Sequence, residues 1–198
     1  MDDRIRQAID FHGHLCAGLT MGVRAARVAL REVGPHAADE EVVAIVETDM
    51  CAVDAIQFLT GCTFGKGNLI HRDVGKNAYT FIRRSDGKAI RVVTRPDGWP
   101  PHDPERGALR EKVRAGTATE AEERRYEKLR DERALAVLDV PEERLFDVQE
   151  VRVQAPRPAR VHASIPCADC GEMTMETRIR RSDGRNLCIP CFEHAEAR

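Results

Sequence analysis

A domain built from both helices and strands, followed by a small metal-held module, is the fold class this sequence predicts. Three observations predict it. Apolar residues recur at three-four spacing between 17 and 33, β-branched residues concentrate at 41–47 and 78–94, and two Cys-x-x-Cys pairs crowd the C-terminus. At 198 residues the chain holds one domain with an appendage, or two small domains.

The elements follow in order. Leu19, Val23, Ala26, Leu30 and Val33 mark one face of a helix that Gly34-Pro35 stops. Residues 41–47 read as a buried strand. Thr48 or Asp49 is then placed to cap a helix over about 51–59, which Gly61 ends, and 61–68 forms a glycine-rich loop. Strands at 79–83 and 89–94 form a hairpin turning at Ser85-Asp86-Gly87. The segment RRSDG recurs at 180–184, which reads as one turn chemistry used twice rather than a repeat architecture. Residues 97–104, with three prolines, are irregular, and helices over 104–115 and 119–138 follow, the second opened by a Thr119/Glu122 capping box and dense in alternating charge. A last strand at 146–153 precedes Ala155-Pro156-Arg157-Pro158. The chain therefore divides into a core domain at 1–154, a linker at 155–162 and a cysteine-rich module at 163–198.

Composition narrows the function. The longest aliphatic run is five residues, Val42–Val46, far short of the roughly 20 that a membrane span needs. The opening Met1-Asp2-Asp3-Arg4 lacks the layout of a signal peptide, so a soluble, cytoplasmic protein is expected. A net charge of -2 and 5% aromatic residues remove bulk electrostatics and stacking platforms as reasons to propose nucleic-acid binding. Arg outnumbers Lys 26 to 5, a bias of the kind GC-rich coding produces. Seven unevenly spaced cysteines without a secretory signal point to metal or thiol chemistry instead of disulfides.

Cys167, Cys170, Cys188 and Cys191 form two CxxC knuckles, the pattern of a tetrahedral zinc site with four thiolates. A hairpin turning at Ser182-Asp183-Gly184 brings the pairs together. A tail of about 35–40 residues cannot hold itself with an apolar core, so the metal supplies its folding energy. A dithiol redox pair is the competing reading, but it needs only one CxxC. Such modules read nucleic acid, dock proteins or staple a fold. The mild positive face from Arg178, Arg180, Arg181 and Arg185 is offset by Glu172, Glu176 and Asp183, which favours docking.

His12, His14 and Cys16 fall within five residues just before a helix, and alternate side chains of a tight or extended turn face one point. Two imidazoles and a thiol suit a borderline-soft ion such as zinc. Cys51 opens the next predicted helix, where the helix dipole favours the thiolate and a lowered thiol pKa is expected. Cys62 and Lys66 lie in the glycine-rich loop. That loop is not a nucleotide P-loop, since Gly61 and Gly65 stand one residue too close and Gly67 occupies the place of Ser or Thr. Lys66 either meets an anionic ligand or is simply solvated. Asp49 and Asp54 flank Cys51 and serve as caps or as a general base. His36, His71, His102 and His162 have no partner in the sequence and read as structural or solvent-facing.

These residues carry a resemblance. The motifs FHGHLCAG at 11–18 and TDMCAVDAIQFLTGCTFGKGNL at 48–69, with the cysteines of 167–191, are similar to those of the FmdE family, named for a component of molybdenum formylmethanofuran dehydrogenase. The resemblance spans essentially the whole chain. It departs at Ala17, where the family usually has Pro after the cysteine. It implies an α+β core with a mixed sheet flanked by helices in a thioredoxin-like layout, an auxiliary C-terminal treble-clef zinc finger, and a tendency to form a homodimer. It also implies a core metal site at His14, Cys16 and Cys51, with His12 and Cys62 nearby.

Two functional readings follow, and a third has thinner support. The first is a zinc- or other metal-binding accessory to a molybdenum- or tungsten-dependent formylmethanofuran dehydrogenase or related redox enzyme. The second is a metal-dependent enzyme in its own right, with Cys16, Cys51, Asp54 and Lys66 as catalytic candidates. The third, a zinc-finger regulator bound to nucleic acid, rests on the Arg-bearing finger alone.

Overall fold

A computed structural model describes residues 2–197. The chain forms two compact units, Met1–Pro158 and Ala159–Arg198.

The first unit is a mixed α+β domain. Its elements are α1 (Asp3–His12), α2 (Ala17–Glu32), β1 (Val42–Val46), α3 (Ala52–Thr60), β2 (Leu69–His71), β3 (Ala78–Arg83), β4 (Ala89–Thr94), α4 (Pro104–Arg114), α5 (Glu120–Asp139), α6 (Glu142–Leu145) and β5 (Phe146–Glu150). The five strands form one sheet in the order β2-β1-β3-β4-β5. Only β1 and β2 run parallel, joined by a crossover through α3, and the other neighbours are antiparallel.

Strand β1 is buried along its whole length because both faces of the sheet are covered there. Val42, Ala44 and Val46 enter the main core with Tyr79, Phe81, Ile90 and Val92 beneath α2. Val43 and Ile45 alternate to the opposite face and join Ile82, Ala89 and Val151. This explains why the segment reads as a continuous apolar run rather than an alternating one.

Helix α2 is buried on two sides. Met21, Ala25, Val28 and Ala29 face the sheet, while Leu19, Val23 and Ala26 pack with Ile5 of α1 and with Ala55 and Leu59 of α3. Arg24, on the same helix, donates from Nη1 to the carbonyls of Val137, Leu138 and Val140 at 2.6–3.0 Å. It thereby satisfies the open C-terminal carbonyls of α5. The Thr119/Glu122 capping box forms reciprocally at the other end of that helix.

Several expectations shift. Helix α1 is an addition to the expected elements: its apolar positions are sparse, yet Asp2 caps it and Gly13, with φ 91, ends it in a left-handed conformation. The three-residue strand β2 continues the glycine-rich loop, and β5 stops at Glu150. Neither Thr48 nor Asp49 caps α3. The Thr48 hydroxyl accepts from the Met50 amide at 3.3 Å, ahead of the helix, Asp49 is exposed, and Cys51 occupies the cap position without a side-chain bond. The two RRSDG segments also turn differently. Only Gly87 has positive φ in the first, whereas both Asp183 and Gly184 do in the second, as a two-residue primed turn requires.

The second unit contains two hairpins, β6 (Ser164–Pro166) with β7 (Met173–Met175) and β8 (Arg180–Ser182) with β9 (Arg185–Leu187), then helix α7 (Ile189–Glu196). Its apolar cluster is small, comprising Cys167, Leu187 and Cys188 with Cys191 and Phe192 against them.

Candidate functional site

Three helix ends build the site in the first unit. His12 stands in the last turn of α1, Cys16 caps α2, and Cys51 occupies the cap position of α3. The αL turn at Gly13 reverses the chain after His12, which lets α2 start beside it. One ligating atom from each of His12, Cys16 and Cys51 lies within 4.8 Å of the other two. The Cys16 sulfur accepts from the Leu19 amide at 3.3 Å, so the thiol replaces the usual Ser or Asp cap. Gly18 keeps the pocket clear: a Cβ there would stand 3.2 Å from the Cys51 Cβ and 3.9 Å from the Cys16 sulfur.

Asp54, in the first turn of α3, reaches back to His12. Its Oδ2 lies 2.7 Å from Nδ1. A carboxylate only accepts, so Nδ1 carries a proton, and in the neutral imidazole the lone pair is then on Nε2. Nε2 lies 3.8 Å from the Cys16 sulfur. This carboxylate–imidazole arrangement orients metal-bound histidines, and the donor set of one nitrogen and two sulfurs suits zinc. The residues present fit such an ion. They also offer three donors where a closed structural site needs four.

In the protein alone, burial and the neighbouring Cys16 push the Cys51 thiol up. This reverses the lowered value expected from the helix dipole, because half-burial beside a second thiol outweighs one helix end. A cation at the site would favour the thiolate again.

His14, Cys62 and Lys66 do not join these three donors. His14 is exposed and its ring packs 4.5 Å from that of His12, so His12 rather than His14 converges with the thiols. Cys62 is fully buried in the main core, and its thiol donates to the Val42 carbonyl at 3.4 Å. Burial raises its pKa. The Lys66 ammonium donates to the carbonyls of Ala37 and Ala38 at 2.9 and 3.3 Å, stapling its loop to the segment before β1. Asn68, also fully buried, completes that staple through Asp39, Val42 and Thr63. Sequence reasoning misses Asn68. His36 is structural, its Nδ1 bonding the Leu59 carbonyl. Phe11 and Met50, the sequence neighbours of His12 and Cys51, are exposed at 57% and 60%.

The second unit gathers Cys167, Cys170, Cys188 and Cys191 with their sulfurs within 4.8 Å of one another. Cys167 and Cys170 lie in the β6–β7 knuckle, and Cys188 stands at the start of α7 with Cys191 one turn on. Backbone amides, first that of Cys170 and then that of Cys188, lower the Cys167 thiol to about 6. The folded-state value lies below the ordinary 9.0, so this group favours the fold at alkaline pH and that contribution is lost as pH falls through about 6. Proton competition for the other thiols acts in the same direction. Removing the metal with a strong chelator is therefore expected to unfold residues 159–197 and to do so more readily at pH 6 than at pH 8. Amide NMR signals of that segment that stay dispersed after complete metal removal would contradict this.

A mixed sheet under helices, with a thiol–imidazole cluster at three helix ends and a separate four-thiol module, defines the class: an α+β core carrying a C4-type zinc finger. The family model described as "FmdE, Molybdenum formylmethanofuran dehydrogenase operon" matches residues 11–147, and the chain belongs to the FmdE family. The model described as "Prokaryotic dksA/traR C4-type zinc finger" matches residues 163–197. A "Probable S-adenosyl-L-methionine-binding protein" of Archaeoglobus fulgidus is 36% identical over 194 residues, covering 93% of this chain and 51% of that protein. The chain thus spans about half the length of the curated relative it matches. A tungsten formylmethanofuran dehydrogenase FmdE-like protein from Syntrophus aciditrophicus, known from its crystal structure, shares the fold. Its TM-score is 0.58 at 21% identity, over 98% of this chain and 92% of that one. The chain is a zinc-binding FmdE-like protein. Among the described residues, no helix is long and apolar enough to cross a membrane.

Proposed function

We propose that this protein is a cytoplasmic, homodimeric metal-binding accessory to a molybdenum- or tungsten-dependent formylmethanofuran dehydrogenase or a related redox enzyme. The convergence of His12, Cys16 and Cys51 with Asp54 behind the histidine carries the reading. His12 through Nε2 and the two cysteines would hold a zinc ion, which supplies Lewis acidity or a soft anchoring point. Asp54 fixes the imidazole tautomer, Gly18 leaves room beside the sulfurs, and the exposed side chains of Phe11 and Met50 offer apolar surface to a partner protein. The C-terminal finger, whose knuckle, hairpin and helix follow the order of a treble clef, serves docking or dimer stabilisation. The domain limits of 1–154 and 163–198, with a linker between, belong to the same reading.

Asp54→Asn is expected to lower core metal affinity by about 10–100-fold, because the amide no longer fixes the proton on Nδ1. Competition with a chromophoric chelator measures this, and an affinity equal to wild type would remove Asp54 from the site. For the accessory role, the test is co-purification with an authentic formylmethanofuran dehydrogenase. Wild type is expected to be retained and Cys51→Ser lost, whereas absence of any association would overturn the role.

The three-donor geometry favours a second reading, an independent metal-dependent enzyme, since a fourth position stays available to a ligand. Cys16, Cys51, Asp54 and Lys66 are its catalytic candidates. The staple made by Lys66 points to a structural task in this reading, and Asp54 acts by orienting His12. Cobalt substitution distinguishes the two readings. A visible spectrum altered by small anions or by S-adenosyl-L-methionine, the ligand named for the Archaeoglobus relative, supports an enzyme, and an unchanged spectrum supports the accessory.

A further inference from the structure

Two thiols meet where α2 and α3 begin. Cys16 and Cys51 are both free and half-buried, and their sulfurs lie within 4.8 Å of each other. A Cβ added at Gly18 would stand 3.8 Å from the Cys51 sulfur and 3.9 Å from that of Cys16, so the missing side chain leaves space beside both. Their closeness also shows in charge, since Cys16 is among the causes that raise the Cys51 thiol. A disulfide needs the sulfurs at about 2.05 Å. Each sulfur turns about its own Cα–Cβ bond, so closure asks for side-chain rotation at two helix ends.

The two sulfurs are not equivalent. Cys16 accepts from the Leu19 amide at 3.3 Å, in the first turn of α2, and faces His12 Nε2 at 3.8 Å. The amide stabilises negative charge as it develops on that sulfur, and the imidazole, held by Asp54 through Nδ1, offers a lone pair for the thiol proton. Cys51 makes no side-chain cap bond, and burial heads the causes that hold its thiol up. One thiol is thus placed to attack and the other to resolve, the arrangement of a reversible thiol couple. Cys62 is fully buried in the main core and stands outside this chemistry.

We propose that Cys16 and Cys51 form a peroxide-reducing dithiol, in which Cys16 attacks hydrogen peroxide and Cys51 closes the disulfide. The Cys16 sulfur bonds to one peroxide oxygen as the O–O bond breaks. The other oxygen leaves as water with the thiol proton, relayed by His12 Nε2, and Cys16 is left as a sulfenic acid. The Cys51 sulfur then bonds to the Cys16 sulfur, the S–O bond breaks, and hydroxide leaves as a second water with the Cys51 proton. Two thiols lose two electrons in all, and one peroxide takes them up. A disulfide offers no thiolate, so a closed disulfide and a bound ion exclude each other, with His12 remaining as the single donor of the three. The thiol chemistry stands on the geometry alone, and only this exclusion rests on the metal-binding reading above.

The test treats the full chain, purified anaerobically, with hydrogen peroxide, alkylates the remaining thiols and maps the peptides without reduction. About one Cys16–Cys51 disulfide per chain is expected, with Cys62 still alkylated. The same map counts any disulfides among the finger cysteines separately. With dimedone present, Cys51→Ser is expected to carry an adduct at Cys16, and Cys16→Ser none at Cys51. Metal content is followed alongside. Wild type is expected to lose about one more metal per chain than Cys51→Ser, whose loss reports the finger. Absence of the Cys16–Cys51 disulfide overturns the dithiol whatever the metal content, and this measurement needs no variant to fold. An adduct at Cys51 of Cys16→Ser overturns the assignment of attacker and resolver. A disulfide formed in wild type that never held a core metal supports the dithiol and sinks the metal reading alone.

Discussion

Gly22→Ala is expected to destabilise the first unit by about 3 kcal/mol or more, and to lower its midpoint of thermal unfolding by about 6–12 °C. Helix α2 crosses α3 so closely at this point that an added Cβ would stand 2.2 Å from the Ala52 carbonyl oxygen and 2.6 Å from its Cα. Two effects compete. Alanine in a helix interior is worth about 1 kcal/mol more than glycine. The clash is with backbone, not with the tip of a movable side chain, so α3 must shift bodily and the packing loss outweighs the propensity gain. Because Ala52 follows Cys51, the same shift moves a thiol away from His12 and Cys16. The control is Gly65→Ala, in open space, which is expected to be nearly neutral. Urea unfolding of the three proteins decides the matter, and a Gly22→Ala variant as stable as wild type would refute the close crossing.

Cys51→Ser and Cys16→Ser are each expected to abolish the core metal while leaving the finger loaded. Elemental analysis of anaerobically purified protein should find about two metals per chain in wild type and about one in either variant. Serine keeps the volume but is a poor ligand for a borderline-soft ion, and with three donors the site has none to spare. Cys16→Ser retains the ability to cap α2, so its fold is expected to survive and the loss reads on the metal alone. Cys62→Ser supplies the contrast. That thiol lies in the core and bonds the Val42 carbonyl, so replacing it is expected to alter stability and leave metal content unchanged. One metal in wild type and variants alike would leave the finger as the sole site and assign the core thiols to packing or redox chemistry.

Much of the element pattern is legible in the sequence because it is local. The helix after Cys16, the strand at 42–46, the 78–94 hairpin, the two charged helices and the capping box all follow from spacing and turn chemistry within a few residues. The four-thiol finger is legible for the same reason, since two CxxC pairs declare their ligand set by spacing. Helix α1 is obscured by its few apolar positions, although Asp2 and Gly13 signal its ends. The two His residues at 12 and 14 are indistinguishable by spacing. An extended turn would present both to one side, but His12 belongs to a helix and His14 to the turn after it.

Local chain chemistry thus specifies the residue types available for a site, the order of most helices and strands, and the composition of the finger. Which of those residues meet is settled by the packing of distant segments. His12 and Asp54 are forty-two positions apart and touch because α1 and α3 pack against the same side of α2. Cys62 and Lys66, close to Cys51 in sequence, turn away because the loop that carries them is stapled to the segment before β1. Ligand sets assembled from separate helix ends depend on crossing geometry, which is set by packing over the whole core and leaves little local signature.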